Sequence, residues 1–325
     1  MKRIRVRAFG GPEVLELEDG EELRPGAGEV LVRIEAAGVN PADTYGRAGA
    51  YGARNPALPF TPGTDGAGVV EAIGAGVTGV SVGERVYTAR SLSGTYAQQA
   101  LCAPSQVWPL PGNTTFAQGA ALFVPYGTAY RALFQLAHAQ PGETVLVHGA
   151  SGGVGIAAVQ MARAAGLRVI GTAGSPRGLA AIDAEGAHVV IDHGAPDHLE
   201  RVLAATQGRG VDVVVEMVAH KNLARDLTVM APGGRLVVVG SRGDISITPR
   251  DLMARELTLI GMLLWNTPER DVASLRAAIY AGLQAGTLRP LIGLELPLGD
   301  AAEAHRRIAE PSGGSLGKIV LLPYA

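Results

Sequence analysis

Residues 145 to 155 read VLVHGASGGVG: a short branched apolar run, a histidine, then four glycines within seven positions. Bare backbone N–H groups at the start of a helix, together with the positive end of the helix dipole, form an anion site. Glycine keeps side chains away, so a diphosphate can approach the backbone. The Gly-x-Gly-x-x-Gly spacing is met in part: Ala150 holds its first position, Gly152 and Gly155 the second and third. A glycine triplet alone signifies little, but between a strand and a helix at the head of an alternating sheet it points to a dinucleotide. The competing reading, a turn kept bare only for helix–strand packing, does not call for this many glycines. The second apolar run, LRVIGTAGS, lacks the Asp or Glu that would bind a ribose 2′-hydroxyl. Gly171, Thr172, Ala173 and Gly174 stand there instead. Ser175 can donate a hydrogen bond and Arg177 brings a positive charge, a pattern that favours NADP over NAD.

These residues need a scaffold, and the sequence supplies one. From Thr144 to about Leu264, apolar runs alternate with helical patterns. TVLVHG, LRVIGTAG, HVVID, VDVVVEMV, RLVVVG and LTLIGMLL read as strands, with VGIAAVQMARAAG and SPRGLAAIDAEGA as helices between the first three. Near-continuous branched runs suit a parallel sheet covered on both faces, hence a doubly wound Rossmann sheet of six strands. Before it, residues 1 to about 112 are punctuated by glycine and proline, as in RPGAGEV and TPGTDGAG. Short strands between turns predict a β-rich, barrel-like domain. After Asn266 come two more helices and a closing strand, GKIVLLPYA.

Composition narrows the function classes. The chain has 325 residues, 47% hydrophobic and 18% charged, with a net charge of −2, which fits a folded protein long enough for two cores. No basic stripe favours nucleic acid, and no apolar run is long enough to span a bilayer. The start, MKRIRVRAFGG, lacks the apolar block of a signal peptide, and a cytoplasmic location is expected. Cys102 is the one cysteine. It allows no disulfide within the chain and no thiolate-rich zinc site, and it reads as a buried or half-buried thiol.

VLVHGASGGVG, GTAG, VVVGSRGDISITPRDLMARELTLIG and, upstream, GVNPADTYGRAGAY closely resemble zeta-crystallin-type quinone oxidoreductases. These are zinc-free members of the medium-chain dehydrogenase/reductase superfamily, and the resemblance runs from AFGGPEVLEL to GKIVLL. It implies a GroES-like catalytic domain (residues 1–122) completed by a C-terminal segment (266–325), with the Rossmann domain (123–265) inserted between. It implies NADPH as hydride donor, quinones (ortho-quinones often favoured) as acceptors, and a homodimer or homotetramer paired through LTLIGMLLW. On the resemblance, Ser151, Gly152, Gly153, Val154 and Gly155 cradle the pyrophosphate. Gly174, Ser175 and Arg177 lie by the 2′-phosphate, His193 against the adenosine and Asn222 near the ribose. Val239, Gly240, Ser241, Arg242 and Leu263 flank the nicotinamide and its ribose, Thr128 holds the carboxamide, and Tyr45 touches the cofactor from the catalytic domain.

Where zinc-dependent cousins carry a cysteine and a histidine, this chain carries Asn40 and Thr64, so no zinc and no Lewis acid is expected. A quinone is already electrophilic, so positioning supplies much of the catalysis and no triad is needed. Asn40 is a candidate to hydrogen-bond an acceptor oxygen, and Tyr45 or Tyr51 to donate a proton or line the site. Asp43 and Asp65 read as structural, Tyr126 and Tyr130 as core or wall. The rival activity is NADPH-dependent reduction of enone or enoyl C=C bonds on the same scaffold. The rival of another class is a non-catalytic crystallin-like or RNA-binding protein, against which stand the intact glycine loop, the near-neutral charge and the lack of an aromatic stacking platform.

Overall fold

The computed structural model describes residues 1–309 and 313–325. Six parallel strands run side by side in the order Val189–Asp192, Arg168–Ala173, Thr144–Val147, Val211–Glu216, Met230–Val238 and Thr258–Gly261. Numbered along the chain, that order is 3-2-1-4-5-6, the doubly wound Rossmann arrangement, whose switch point lies between the strands Thr144–Val147 and Val211–Glu216. Thr144 to Val147 are all buried, as are Val213, Val214 and Val215. Stiff β-branched side chains pack both faces of this sheet. The first strand ends at Val147, one residue before the expected His148, although His148 N–H still reaches Val215 O at 3.2 Å.

The second sheet is the β-rich domain. Its path runs Ile292–Pro297, Lys318–Leu322, Val30–Val39, Asp65–Ile73, Arg85–Ala89 and Val107–Pro109, and Gln99–Cys102 pairs with Val30–Val39. Two of these strands come from the end of the chain, so the Rossmann sheet is inserted within the β-rich fold. Ile292–Pro297 was not anticipated, because LIGLELP carries a glycine in a short run. That glycine is forced: a Cβ on Gly293 would stand 1.8 Å from Leu316 O.

Register brings the catalytic-domain polar residues together. Asp65 pairs with Gly38, and Ile319 pairs with Val39. Asn40, Asp65 and Lys318 therefore meet at one end of the sheet although they are distant in sequence. Gly38 is bare because a Cβ there would meet Ala120 O at 1.9 Å and Lys318 Cε at 2.8 Å.

Candidate active site

The glycine loop divides into two tasks. A Cβ on Gly155 would lie 2.4 Å from Gly149 O and 2.5 Å from Ala150 Cα, so this glycine lets helix and loop pack. On Gly152 or Gly153 the nearest atoms would be 3.6 and 3.5 Å away, ordinary contact distances. Packing does not require those two to be bare. They stand at the N-cap and first position of the helix Gly153–Ala164; Gly152 N–H is taken by Gly149 O at 3.1 Å, and the N–H groups that follow have no intrahelical partner. Ser151 is committed otherwise: its hydroxyl donates to Ser315 O at 2.7 Å, and its carbonyl accepts from Gly317 N–H at 2.7 Å.

The end of the second strand is open. Gly174 and Arg177 are exposed. Ser175 caps the helix Pro176–Ala184 by accepting from Gly178 N–H at 3.2 Å, which leaves its O–H to donate. His193 lies over Gly174, with Nε2 only 2.6 Å from where a Cβ would stand. Asn222 Nδ2 donates to Glu216 Oε1 and Oε2 at 3.2 and 3.3 Å. On the loop after the strand Met230–Val238, Arg242 Nε donates to Tyr45 Oη at 3.2 Å and Nη1 to Ala309 O at 3.2 Å, joining the Rossmann loop to the catalytic domain. Gly240 is bare because a Cβ would meet Met217 O at 2.4 Å. Thr128 is buried, and Leu263 is 39% exposed.

Asn40 is buried, with both ends of its amide engaged: Nδ2 donates to Asp65 Oδ2 at 3.0 Å, and Oδ1 accepts from Lys318 Nζ. Its backbone N–H donates to Asp43 Oδ2 at 2.8 Å, capping the helix Pro41–Ala48. Lys318 Nζ also donates to Asp65 Oδ2 at 2.9 Å, and Asp65 Oδ1 accepts from Val124 N–H at 3.0 Å. Thr64 Oγ1 donates to Asp43 Oδ1 at 3.4 Å. An amide, a hydroxyl and a buried ammonium do not fit zinc, since none is a basic thiolate or imidazole and the lysine already supplies the cation. Asp43 and Asp65 have the structural surroundings expected of them, and Cys102 is a buried thiol pushed up to about 12 by burial.

A cavity of about 520 Å³ adjoins this cluster, bordered by Asp43, Tyr51, Thr64, Ser93 and Trp265 among others. Tyr51 is 37% exposed, and its hydroxyl donates to Ala42 O at 3.2 Å. Burial, then the charges of Asp43 and Tyr45, pushes the phenol up to about 12, so it keeps its proton at neutral pH. Tyr45 packs edge-on against it, with centroids 6.2 Å apart. Trp265 has Arg90 over its face at 4.6 Å and also borders a second cavity of about 780 Å³.

Asp43 gives this cluster a pH signature. Burial raises its carboxyl to about 6, against the Asn40 N–H and the Lys318 charge. Between about pH 4 and 6 the folded chain holds a proton that the unfolded chain has released, so stability falls as pH rises. This contribution is at most about 1.4 kcal/mol per pH unit. Urea unfolding at pH 4, 5 and 6 is expected to show a flatter profile for Asp43→Asn, and an unchanged slope would refute the assignment.

Sequence reasoning passed over Lys318 and Trp265, and it did not single out His148, Glu216 or Asp226. Each partner lies far away in the chain (Lys318 and Asp65 are 253 residues apart), so no local spacing marked them.

Residues 26–119 match the alcohol dehydrogenase GroES-like domain family, and residues 153–278 match the zinc-binding dehydrogenase family. The quinone oxidoreductase of Rattus norvegicus is 47% identical over 323 residues, covering 99% of this chain and 98% of that protein. The crystal structure of Escherichia coli quinone oxidoreductase complexed with NADPH gives a TM-score of 0.89 at 29% identity, covering 99% of this chain and 100% of that one. A crystal structure of an NAD-dependent alcohol dehydrogenase gives 0.89 at 32% identity, covering 99% of each. With this full-length likeness and the inserted Rossmann sheet, the chain belongs to the quinone oxidoreductase family of the medium-chain dehydrogenases and reductases.

Proposed function

We propose that the chain is an NADPH-dependent quinone oxidoreductase that works without a metal, built as a catalytic domain (1–122 with 266–325) around a cofactor domain (123–265). The observation that carries this reading is the pairing of full-length likeness to quinone oxidoreductases with a phosphate loop whose second strand ends without an acid. Ser151 to Gly155 are the proposed cradle, with the pyrophosphate on the N–H groups of Gly153, Val154 and Gly155, the first turn of the helix. Gly174, Ser175 and Arg177 meet the 2′-phosphate, His193 and Asn222 the adenosine and its ribose. Thr128, Val239–Arg242 and Leu263 surround the nicotinamide half, closed over by Tyr45.

NADPH, when bound, supplies the hydride. The chain's own residues orient the acceptor in the cavity beside Trp265, where the Tyr51 O–H exchanges its 3.2 Å bond to Ala42 O for a quinone oxygen. Asn40 acts through Lys318 and Asp65, holding the cavity wall in place. The edge strand Thr258–Gly261 has one face unpaired in the sheet order, and Leu259 and Ile260 on it are half-buried. It is the proposed seam of a homodimer or homotetramer, since an apolar edge favours a partner. No helix among the described residues is long and apolar enough to cross a membrane, and a cytoplasmic location is part of this proposal.

The test follows loss of NADPH absorbance with 9,10-phenanthrenequinone after chelator treatment, with NADH in parallel. Rapid turnover that survives the chelator, at least about tenfold faster with NADPH, is expected; tenfold corresponds to 1.4 kcal/mol of discrimination. Equal rates with NADH would overturn the NADPH assignment. Turnover of enones but not quinones would move the activity to C=C reduction, and consumption with neither would overturn the reductase reading.

A further inference from the structure

At the strand ends of the Rossmann sheet, buried polar groups with no task in the reading above lead to the exposed His193. His148 is buried, with Nε2 2.9 Å from Asp226 Oδ1 and 3.7 Å from Glu216 Oε2. Its Nδ1 lies 3.3 Å from Thr172 Oγ1, and that hydroxyl lies 3.3 Å from His193 Nδ1. Thr172 is fully buried and has one proton to give. Bridging two imidazoles, it makes the hydrogen-bond direction at one fix the direction at the other.

Two arrangements satisfy the line. With His148 neutral and its proton on Nε2, the bare Nδ1 takes the Thr172 proton. The hydroxyl then accepts from His193 Nδ1–H, and His193 is left with a bare Nε2. With His148 an imidazolium, its Nδ1–H donates to Thr172 Oγ1 and the Thr172 O–H donates to His193 Nδ1. His193 then carries its proton on Nε2.

The acidic groups around His148, Asp226 Oδ1 at 2.9 Å and Glu216 Oε2 at 3.7 Å, favour the second arrangement. Burial works against its charge, but the hydrogen bond and charge of Asp226 and the charge of Glu216 outweigh burial and the opposing Arg225, so His148 is held above its ordinary value. Burial raises Glu216 itself to about 7, which leaves the direct Asp226 contact in place. Burial and then the His148 charge lower His193, with Asp192 opposing and His198 adding to the effect. This favours the neutral imidazole, in which the tautomer decides whether Nε2 donates or accepts. Among the described residues, His148, Glu216 and Asp226 are also the group whose ligand atoms could hold a metal. Nε2 faces Asp226 Oδ1, and Glu216 accepts from Val218 N–H and Asn222 Nδ2, while the buried Asp226 Oδ2 has no hydrogen-bond partner among the described residues.

We propose that Thr172, His148 and Asp226 are positioning residues that fix His193 as the Nε2–H tautomer, making it a hydrogen-bond donor to the 2′-phosphate of NADPH. This rests on the NADPH reading above. Nε2 stands beside Gly174, the residue before Ser175, and becomes a third donor to the phosphate that Ser175 and Arg177 are proposed to meet. A bare Nε2 would instead face the phosphate oxygens with a lone pair. The same cluster sets Asn222: Glu216 Oε1 already accepts from Val218 N–H and stays an acceptor whether or not Oε2 carries a proton, so it turns the Asn222 NH₂ inward and leaves Oδ1 as the acceptor for a ribose hydroxyl.

The test reads histidine tautomers in the NADPH-free protein by long-range ¹H–¹⁵N NMR, with His193 assigned by the signal lost in His193→Gln. At neutral pH, His148 is expected doubly protonated and His193 as Nε2–H. Thr172→Val keeps the side-chain shape but breaks the bridge, so His193 becomes a tautomer mixture. The dissociation constant for NADPH should then rise about twofold, the inverse of the Nε2–H share of an even mixture, while that for NADH stays unchanged. Asp226→Asn should discharge His148 and move His193 toward Nδ1–H. Finding Nδ1–H in the unmodified protein, or one tautomer throughout the three proteins, would overturn the relay. Expected tautomer shifts in a protein that does not bind NADPH would overturn the phosphate assignment, and with it the cofactor reading.

Discussion

Lys318→Met is expected to lower stability toward urea by about 3–5 kcal/mol, the cost of leaving one partner of a buried ion pair uncompensated. Lys318 and Asp65 are both almost wholly buried, and the ammonium donates to Asp65 Oδ2 and Asn40 Oδ1. Methionine keeps the apolar stem, so the loss comes from the charge. Asp65 would retain the Val124 N–H and Asn40 Nδ2 but no cation. Lys318→Met combined with Asp65→Asn should recover most of the loss, because replacing both members of a buried pair is far milder than removing one. A single-variant loss below about 1 kcal/mol would place the pair among weak surface contacts and refute this account.

The same pair shows what the sequence could convey. The Rossmann strands were legible because a sheet covered on both faces demands unbroken branched runs, and TVLV and VDVVVE supply them. The glycine loop was legible through its place between strand and helix, yet the division of its glycines was not. Only the fold shows that Gly155 answers to Gly149 O while Gly152 and Gly153 are sterically free. Asn40 and Thr64 were noticed as the wrong residues for zinc, but what replaces the metal was hidden. Lys318 reaches Asn40 because its strand pairs antiparallel with Val30–Val39 in a particular register, and register is set by the whole sheet. The His148 cluster was unreadable for a related reason. Its members stand at the ends of separate strands and helices, so their approach depends on strand order.

Strand order also decides where the cofactor meets charge, and there the second large effect is expected. Arg177→Glu should raise the dissociation constant for NADPH by about 100-fold while changing that for NADH less than about threefold, measured by fluorescence titration at low salt. A charge-assisted hydrogen bond contributes about 1.5–3 kcal/mol, and each 1.4 kcal/mol is tenfold, so losing the arginine accounts for about 10- to 100-fold. Reversing its sign adds repulsion toward the phosphate. Added salt should narrow the difference, because Arg177 is exposed and its field is screened. The converse substitution, Gly174→Asp, does not simply convert the site to NADH. A Cβ there meets His193 Nε2 at 2.6 Å, so the acid enters only by displacing the imidazole. Gly174→Asp should therefore weaken NADPH binding without a matching gain for NADH. Unchanged NADPH affinity in Arg177→Glu would remove the 2′-phosphate from this end of the sheet and leave the acid-free strand as a packing feature alone.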